Sequence, residues 1–356
     1  KDVDTGAPQI ASVVANAAKL AADQVTAITL TETQLQTLAG DAAGGALDDA
    51  IADDAVTIGS VTNGSDAETT VLARGTKIAN NGITAITISD SEFNTFIGAA
   101  TAAPFAASSV TLGTVTGNQQ TVADNIAKIA NGGVDAITFT GDAQFTTAMS
   151  NAAAFDAGSV SLGDKNVDTG STEIASVVTN AAKLAANQVT AIIVADAATF
   201  KTAMTNNAGA FANTSVSLGT ETVGADQKAS FVTNIAKVAA GEIATITLAG
   251  DAEFTTVMAA NAAAFDNGGV SLADKDVDTG STEIASVVTN VAKLAAGQVD
   301  SIVLAGDAEF TTVMAANAGA FASGSVSLTD KDVDTGAPQI ASVVTNVAKL
   351  AAGQVD

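Results

Sequence analysis

An internal repeat of about 55 residues runs through the whole chain, and it constrains the fold more than any other feature. Two columns of phenylalanine mark this repeat at steps of 54 to 56 residues. The columns are Phe145, Phe200, Phe254 and Phe310, and Phe155, Phe211, Phe265 and Phe321. About six and a half copies fill the 356 residues, which leaves no room for a separate domain or linker. We therefore expect residues 1–356 to form one continuous array in which each copy packs on its neighbours.

Each copy contains two segments with the composition of a β-strand. β-branched residues dominate these segments, and Gly, Asn or Asp bounds them. The longer predicted strands are Val25–Leu30, Ile83–Ile88, Val134–Phe139, Val189–Val194, Ile243–Leu248 and Val299–Leu304. The shorter predicted strands begin at Ala55, Ser109, Ser159, Ser215, Gly269 and Ser325.

Helical periodicity fills the stretches between these strands. In "TEIASVVTNVAKLAAG" the apolar residues fall at i, i+3, i+7 and i+10 from Ile284, which places them on one helical face. Ser281 or Thr282 is predicted to cap the start of this helix, and Gly297 its end. Strands that alternate with helices at this spacing run parallel, with right-handed crossovers. The sequence therefore predicts an α/β fold, a repetitive parallel βα solenoid with two strand–helix units per repeat, its sheet on one side and its helices on the other.

A row of hydroxyl side chains runs through the predicted strands. In segments such as "ITL" and "VSL" the apolar residues flank a central Thr or Ser, so that strand alternation points the hydroxyl away from the helices. The row consists of Thr29, Thr57, Thr87, Thr111, Thr138, Ser161, Ser217, Thr247, Ser271 and Ser327. Ile193 and Val303 interrupt it. We expect this hydroxyl face either to lie in water or to contact a partner: a glycan, a neighbouring protomer or, less readily with so irregular a row, ice.

The composition excludes several classes of function. The chain has no Cys and no His, and it carries 38 acidic residues against 14 basic ones, a net charge of −24. Without His and Cys it cannot build the usual catalytic triads or zinc sites. The negative charge disfavours nucleic acid and anionic lipid as partners. No apolar run approaches the roughly 20 residues of a membrane-spanning helix. We therefore expect no enzyme, no nucleic-acid partner and no membrane insertion in this segment.

The heptapeptide "DKDVDTG" is the candidate metal site. Its three carboxylates at alternate positions resemble the start of a calcium loop, and it occurs twice, with the variant "DKNVDTG" once more. The candidate calcium ligands are Asp274, Asp276, Asp278, Asp330, Asp332, Asp334, Asp164 and Asp168. The loop is no EF-hand, since glycine falls at position 7 and Ala285 at position 12. Two interpretations remain: calcium bound with backbone carbonyls, Glu283 or an adjacent turn of the array, or acids that favour the positive N-terminus of the next helix.

Two further columns carry expectations of their own. The phenylalanines share helix faces with Val and Met, so we expect them in the core. The lysine column is expected to form a solvated stripe or to pair with acids of a neighbouring turn of the array. Its members are Lys19, Lys77, Lys128, Lys183, Lys237, Lys293 and Lys349.

Repeats such as "QVDSIVLAGDAEFTTVMAANAGAF" and "VTAITLTETQLQTLAG" resemble those of giant Ala/Thr/Val/Asp-rich bacterial surface proteins, which include surface-layer, adhesin and extracellular-matrix filament proteins. The resemblance implies a secreted, extracellular protein with a structural or adhesive role. The expected architecture is also similar to a leucine-rich-repeat array, although the "LxxLxLxxN" pattern of that family is missing. The glycine–aspartate nonapeptide of calcium β-rolls is missing as well.

The first and last stretches of the sequence are nearly the same. Residues 1–26 match residues 331–356 at 22 of 26 positions, which favours a segment of a longer repeat array or ends that dock head-to-tail. We therefore expect a structural component of a bacterial cell surface or extracellular filament, such as a surface layer, matrix fibre or stalk, that associates with copies of itself. The alternative is an adhesin or glycan-binding solenoid that uses the hydroxyl face.

Overall fold

The computed structural model describes residues 1–3, 6–39, 49–62, 64–99, 104–219, 221–333 and 336–355. These residues contain 13 α-helices and 18 short strands. In chain order the helices α1 to α13 span Ala7–Asn16, Glu32–Ala39, Asp66–Ala73, Asp90–Ala99, Gln119–Asp124, Asp142–Ala148, Ser171–Thr179, Ala197–Asn207, Ala225–Asn234, Asp251–Asn261, Ser281–Asn290, Asp307–Asn317 and Ala337–Asn346. In the described part of the chain, no helix has the length and apolar character needed to cross a membrane.

The strands form six parallel sheets of three strands each. In chain order the strands β1 to β18 span Asp2–Val3, Ala27–Thr29, Val56–Thr57, Gly59–Ser60, Ile83–Thr87, Val110–Thr111, Gly113–Val115, Val134–Phe139, Val160–Leu162, Asn166–Val167, Ala191–Ile193, Val216–Ser217, Glu221–Val223, Ile243–Leu248, Val270–Leu272, Asp276–Val277, Ser301–Leu304 and Val326–Leu328. The sheets are β1-β2-β3, β4-β5-β6, β7-β8-β9, β10-β11-β12, β13-β14-β15 and β16-β17-β18. The α/β class and the repeated parallel strand–helix units predicted from the sequence are thus confirmed.

Every sheet has the same construction. Its middle strand lies in one of the longer predicted segments, and its third strand in one of the shorter ones. Its first strand was not predicted. This strand is short, and in β16 only Val277 is buried while Asp276 is exposed.

The chain divides into two compact units. One consists of Lys1–Asp164 with Ala182–Ala185, and the other of Lys165–Ala181 with Ala186–Asp356. The first contains β1 to β9, and the second contains β10 to β18. Within each unit, consecutive helices pack against one another, as α2 does on α3 and α10 on α11. We use the term module for one strand–helix unit. One kind of module is the first strand of a sheet with the helix that follows it, and the other is the middle strand with its helix and the third strand that comes after that helix.

The phenylalanine columns lie in the core, as the sequence predicts. Phe310 is fully buried within α12, and Phe321 is buried just after it. Phe321 is not helical, because a one-turn 3-10 helix ends at Ala320 and the chain then extends to bridge Val299. The first column therefore packs from the helix, and the second from the start of the following strand region.

The predicted boundaries of α11 are wrong at both ends. The N-cap residue is Gly280, and neither Ser281 nor Thr282 acts as the cap. The helix ends at Asn290, whose amide donates back to the carbonyl of Ser286 at 3.1 Å. A 3-10 turn ending at Lys293 follows, and Leu294 is extended and bridges Val270. The apolar pattern continues past Asn290 because the next segment faces the same core, and not because the helix continues.

Candidate functional site

The "DKDVDTG" heptapeptide at residues 274–280 is part of a sheet rather than a free loop. Asp276 and Val277 form β16, in register with Ser301 and Ile302 of β17. Gly250, in the preceding module, lies against this segment: a Cβ at Gly250 would come within 3.3 Å of the Cβ of Asp274. A small residue at this position lets the acidic segment approach the neighbouring turn closely.

The candidate calcium ligands point into solvent or bind backbone near them. Asp274 accepts a hydrogen bond from the amide of Asp276 at 3.2 Å, and Asp330 accepts one from the amide of Asp332 at 3.1 Å. All seven candidates that the structure describes, Asp164, Asp168, Asp274, Asp276, Asp278, Asp330 and Asp332, are exposed. Asp334 lies outside the described residues.

These carboxylates do not converge into a cation cage. Within the described residues, no group of three or more Asp or Glu side chains is arranged to hold a metal ion. Calcium takes six to eight oxygen ligands, so a single segment of this kind would need oxygens from elsewhere. Calcium binding by the heptapeptide therefore stays a prediction.

The second interpretation of the heptapeptide, acids that favour the helix N-terminus, also stays a prediction. The structure shows a further contact that holds the segment. Asp251, at the start of α10 in the preceding module, is buried and accepts hydrogen bonds from the hydroxyl of Thr279 and, at 3.3 Å, from its amide. Asp90 accepts from the amide of Gly117 at 2.6 Å in the same way, and Glu32 accepts from the amide of Thr62. An acid at the start of one helix thus anchors the segment that leads into the next.

The lysine column has a partner that the sequence does not reveal. Lys293 donates from Nζ to the carbonyl of Phe265 at 2.7 Å, in the preceding module. The same contact, at 2.6 to 2.9 Å, joins Lys77 to Ile51, Lys128 to Phe105, Lys183 to Phe155, Lys237 to Phe211 and Lys349 to Phe321. Lys19 differs, because it binds the Oδ1 of Asn16 within its own module. Among the described residues the column is therefore mainly a row of contacts between modules, and Lys77 also lies 3.0 Å from the carboxylate of Asp53.

Asparagines at the ends of the alternate helices make a second row of contacts. The amide of Asn261 donates to the carbonyls of Ile235 and Val238, at 3.2 and 2.7 Å. Asn317 donates in the same way to Val291 and Leu294, at 3.2 and 2.8 Å. The carbonyls of Ile235 and Val291 already accept from the amides of Val238 and Leu294, which close the 3-10 turn of the preceding module. The asparagine therefore adds a second donor to each of these carbonyls and also binds the carbonyl of the residue that follows the turn.

A third row lies just before the middle strands. Gln298 accepts from the amide of Leu272 at 2.8 Å, and Gln354 accepts from the amide of Leu328 at 2.7 Å. Glu242 occupies the equivalent place and accepts from the amides of Leu218 and Gly219, each at 2.7 Å. Acid, lysine, asparagine and glutamine columns thus all act as side-chain-to-backbone bonds between successive modules.

The hydroxyl face is present as predicted. Thr247 and Ser271 are at least partly exposed between buried neighbours, and they are directly paired between β14 and β15. Ile193 and Val303, which interrupt the row of hydroxyl residues, are exposed apolar side chains, with 67% and 49% of their surface accessible. Each is paired with a hydroxyl residue, Ser217 and Ser327. The face is therefore a polar surface with two aliphatic spots.

One shallow groove of about 330 Å³ lies on this face in the unit that contains β7 to β9. Hydroxyl and amide groups provide most of its polar lining. They belong to Thr114, Thr116, Gln119, Thr138, Ser159 and Ser161. Such a lining can donate and accept hydrogen bonds but carries no ionisable group, so it suits a neutral polar ligand and no acid–base chemistry.

Among the described residues, Asp196 has a clearly shifted pKa. The amide of Thr199 donates to its carboxylate at 2.7 Å, and the hydroxyl of the same residue donates at 2.8 Å. These bonds lower the pKa of Asp196 below its ordinary value of 3.8. Asp196 is the N-cap of α8, so the shift reflects helix capping and not a catalytic environment.

No protein-family profile matches this chain, and no curated protein matches its sequence significantly. The fold alone therefore defines its class. The chain is an α/β protein of repeated parallel strand–helix units, joined by recurring side-chain-to-backbone contacts.

Proposed function

We propose that this chain is a structural component of a bacterial cell surface or extracellular filament, such as a surface layer, matrix fibre or stalk. In this proposal the repeated modules continue as one parallel βα solenoid. The observation that carries the proposal is the recurrence of one bond in every second module: a lysine Nζ donates to a carbonyl of the preceding module, as Lys237 and Lys293 do at 2.7 Å.

Such contacts suit an extended structural element for a physical reason. Each joins a side chain to backbone, and backbone groups are present at every position, so the same contact works wherever the repeat recurs. Stability in such an array is roughly a sum of module and nearest-neighbour terms, so length can grow without a new core. The proposed role is mechanical and not enzymatic.

The negative charge is compatible with copies that associate only when cations are present. A net charge of −24 keeps parallel copies apart in the absence of cations. The acids of the heptapeptide, among them Asp274, Asp276 and Asp278, are exposed. In this proposal a divalent ion binds them and bridges neighbouring copies. Calcium is accordingly the proposed cation, and the proposed localisation is extracellular.

The groove on the hydroxyl face favours a second candidate function. An adhesin or glycan-binding protein could place a sugar against Thr138 and Ser161, because sugars bind through arrays of hydroxyl donors and acceptors. Glycan sites commonly add an aromatic platform. In this chain the aromatic residues are all phenylalanine, and all 13 of them are buried. The structural role is therefore the better supported of the two.

Immunogold labelling of thin sections of the cells that make the protein tests whether it is a structural component or an adhesin. A structural component gives a continuous layer or labelled fibres at the cell surface. Cytoplasmic label would overturn the proposal. Sparse surface label, with cell adhesion that is lost in the variant Thr138→Val with Ser161→Val, would favour the adhesin instead.

A further inference from the structure

Two exposed aliphatic residues, Ile193 and Val303, stand where the other middle strands carry threonine. Both belong to the second of the two compact units. A groove of about 280 Å³ lies beside Ile193, and Asp168 contributes a carboxylate to its lining. Its aliphatic lining residues are Val167, Ile174, Ala191, Ile192 and Ile193. This surface therefore offers apolar contact and a negative charge together.

An isoleucine in the following helix region accompanies each of the two aliphatic strand residues. Ile174 of α7 precedes Ile193 by 19 positions, and Ile284 of α11 precedes Val303 by the same number. Ile174 lines the groove beside Ile193. Both isoleucines are half-buried, so each pair leaves an aliphatic surface partly open to water.

The repeat between these two pairs carries a lysine in place of the isoleucine. Its corresponding residues are Lys228 of α9 and Thr247 of β14, which line one groove together. The Nζ of Lys228 lies 3.6 Å from the Oε2 of Glu253, at the start of α10, and the two side chains are 29% and 30% exposed. The chain thus shows that this place accommodates an aliphatic stem that ends in a cation beside an acid.

The repeat that contains Val303 keeps the acid and lacks the lysine. Glu309 is the counterpart of Glu253, and each accepts a hydrogen bond from the backbone amide four residues earlier, at 2.8 and 2.7 Å. Within the described residues, no lysine or arginine forms an ion pair with Glu309. Asp278, which follows β16, is exposed, as is Asp168 after β10. Carboxylates therefore accompany the aliphatic surface in both repeats.

We propose that a basic polypeptide docks on this surface through its lysine side chains. At Val303 the lysine stem covers Ile284, and the ammonium pairs with Glu309 as Lys228 pairs with its own acid. At Ile193 the stem lies in the groove described above, with the acid of that groove as the ionic partner. Such binding does not depend on the proposed structural role of the chain.

Charge complementarity selects this occupant. The chain has a net charge of −24, and opposite charge on a partner steers the encounter and fixes its register. A lysine side chain lays its aliphatic stem along apolar surface while its ammonium stays in contact with water. An acidic partner or a purely aliphatic one matches only one half of this surface.

Titration of the natural whole chain with two peptides, followed by NMR of its backbone amides, tests the docking. One peptide consists of five Gly-Lys repeats, and in the other diaminobutyric acid replaces every lysine. The two peptides carry the same number of cations, but the stems of the second are two methylenes shorter. We expect the lysine peptide to bind at least about fivefold more tightly, with the largest shift changes around Ile193 and Val303. A chelator is present so that calcium does not compete for Asp168.

The double variant Ile193→Thr with Val303→Thr tests the apolar half of the site. Thr247 is exposed at the same place in the intervening repeat, so this variant should fold normally. It should lower the affinity for the lysine peptide to that for the diaminobutyric acid peptide and leave the latter unchanged. Equal affinity of the natural chain for the two peptides would overturn the proposal, and so would a preference that survives this variant.

The double variant Asp168→Asn with Glu309→Gln tests the acidic half, and it should weaken binding of the lysine peptide about threefold. Its matched control is Asp156→Asn with Asp266→Asn, which removes the same charge from residues outside the groove lining and should have a much smaller effect. Equal losses in the two variants would assign the binding to the net charge of the chain and overturn the site.

Spermidine, a free polyamine, distinguishes a small amine from a polypeptide. Tighter binding of spermidine than of the lysine peptide at Ile193 and Val303 would assign the surface to small amines and overturn the polypeptide partner. Immunogold labelling is independent of these titrations. A labelled surface layer together with no preference between the two peptides would reject the docking and leave the structural role standing.

Discussion

Replacing Lys293 by methionine removes one contact between modules and keeps the apolar stem of the side chain. The Nζ of Lys293 donates to the carbonyl of Phe265 at 2.7 Å in a partly buried position. A hydrogen bond from a charged donor is worth about 1.5–3 kcal/mol, and partial access of water to the carbonyl reduces the loss. We expect Lys293→Met to weaken the interface between the two modules by about 1.5 kcal/mol, roughly a tenfold change in the opening equilibrium.

Native-state hydrogen exchange is the suitable assay, because a repeat array need not unfold in one cooperative step. The amides of Gly268 and Ala295 donate across this interface, to Ala292 and Val270. Their exchange should accelerate about tenfold in Lys293→Met. Lys19→Met is the matched control, because the contact that the structure describes for Lys19 is with the exposed side chain of Asn16 in its own module. Equal effects of the two substitutions on the amides of their own modules would refute the reasoning.

Three further predictions follow from the other contacts. Asp251→Ala should lower the free energy of unfolding in urea by about 2 kcal/mol, because it leaves the hydroxyl and amide of Thr279 without their acceptor. The reverse change at its buried counterpart, Ala197→Asp, should also destabilise the protein. An Asp251→Ala variant with unchanged stability would contradict the anchoring role. Thr214→Gly should raise the free energy of unfolding by about 1 kcal/mol, because Thr214 adopts a left-handed conformation at φ 58° where its counterparts Gly158, Gly268 and Gly324 have φ 71° to 74°. Gly324→Thr should lower it by a similar amount. A loss of stability in Thr214→Gly would refute the backbone strain at Thr214. Asp196→Ala should destabilise α8 at neutral pH. Because the folded-state pKa of Asp196 is lowered, the stability that its carboxylate contributes is complete above pH 3.8 and is lost as the pH falls below that value. A stability difference between this variant and the natural chain that stays the same in acid would argue against the cap.

The core and the repeat could be predicted because they leave periodic apolar signals. Phe254 and Phe265 recur at fixed steps, and β-branched runs such as Ile243–Leu248 stand out from their surroundings. The hydroxyl row followed from simple alternation, and Thr247 between Ile246 and Leu248 has the predicted exposure.

The first strand of each sheet could not be predicted for the opposite reason. In β16 one buried valine stands beside charged residues, which is too short a pattern to show alternation. Acids at alternate positions there resemble a metal loop instead. Pairing with β17, supplied by the next module, makes the segment a strand.

The partners of the polar columns were missed because backbone carbonyls have no sequence signature. Lys293 and Asn317 reach carbonyls 28 and 23 to 26 residues earlier, and no complementary side chain marks those positions. Asp251 was ambiguous in another way, since an acid at the start of a helix is also favoured by the helix itself. A regular column of one polar residue type in a repeat is the signal that could have pointed to these contacts.

Negative-stain electron microscopy of the natively isolated protein, first in calcium and then in a chelator, tests the structural role most directly. The account predicts regular filaments or sheets in calcium. Their loss in chelator would identify the heptapeptide acids, such as Asp274 and Asp276, as the calcium ligands to mutate first. Dispersed single particles in both conditions would contradict the account and favour the adhesin.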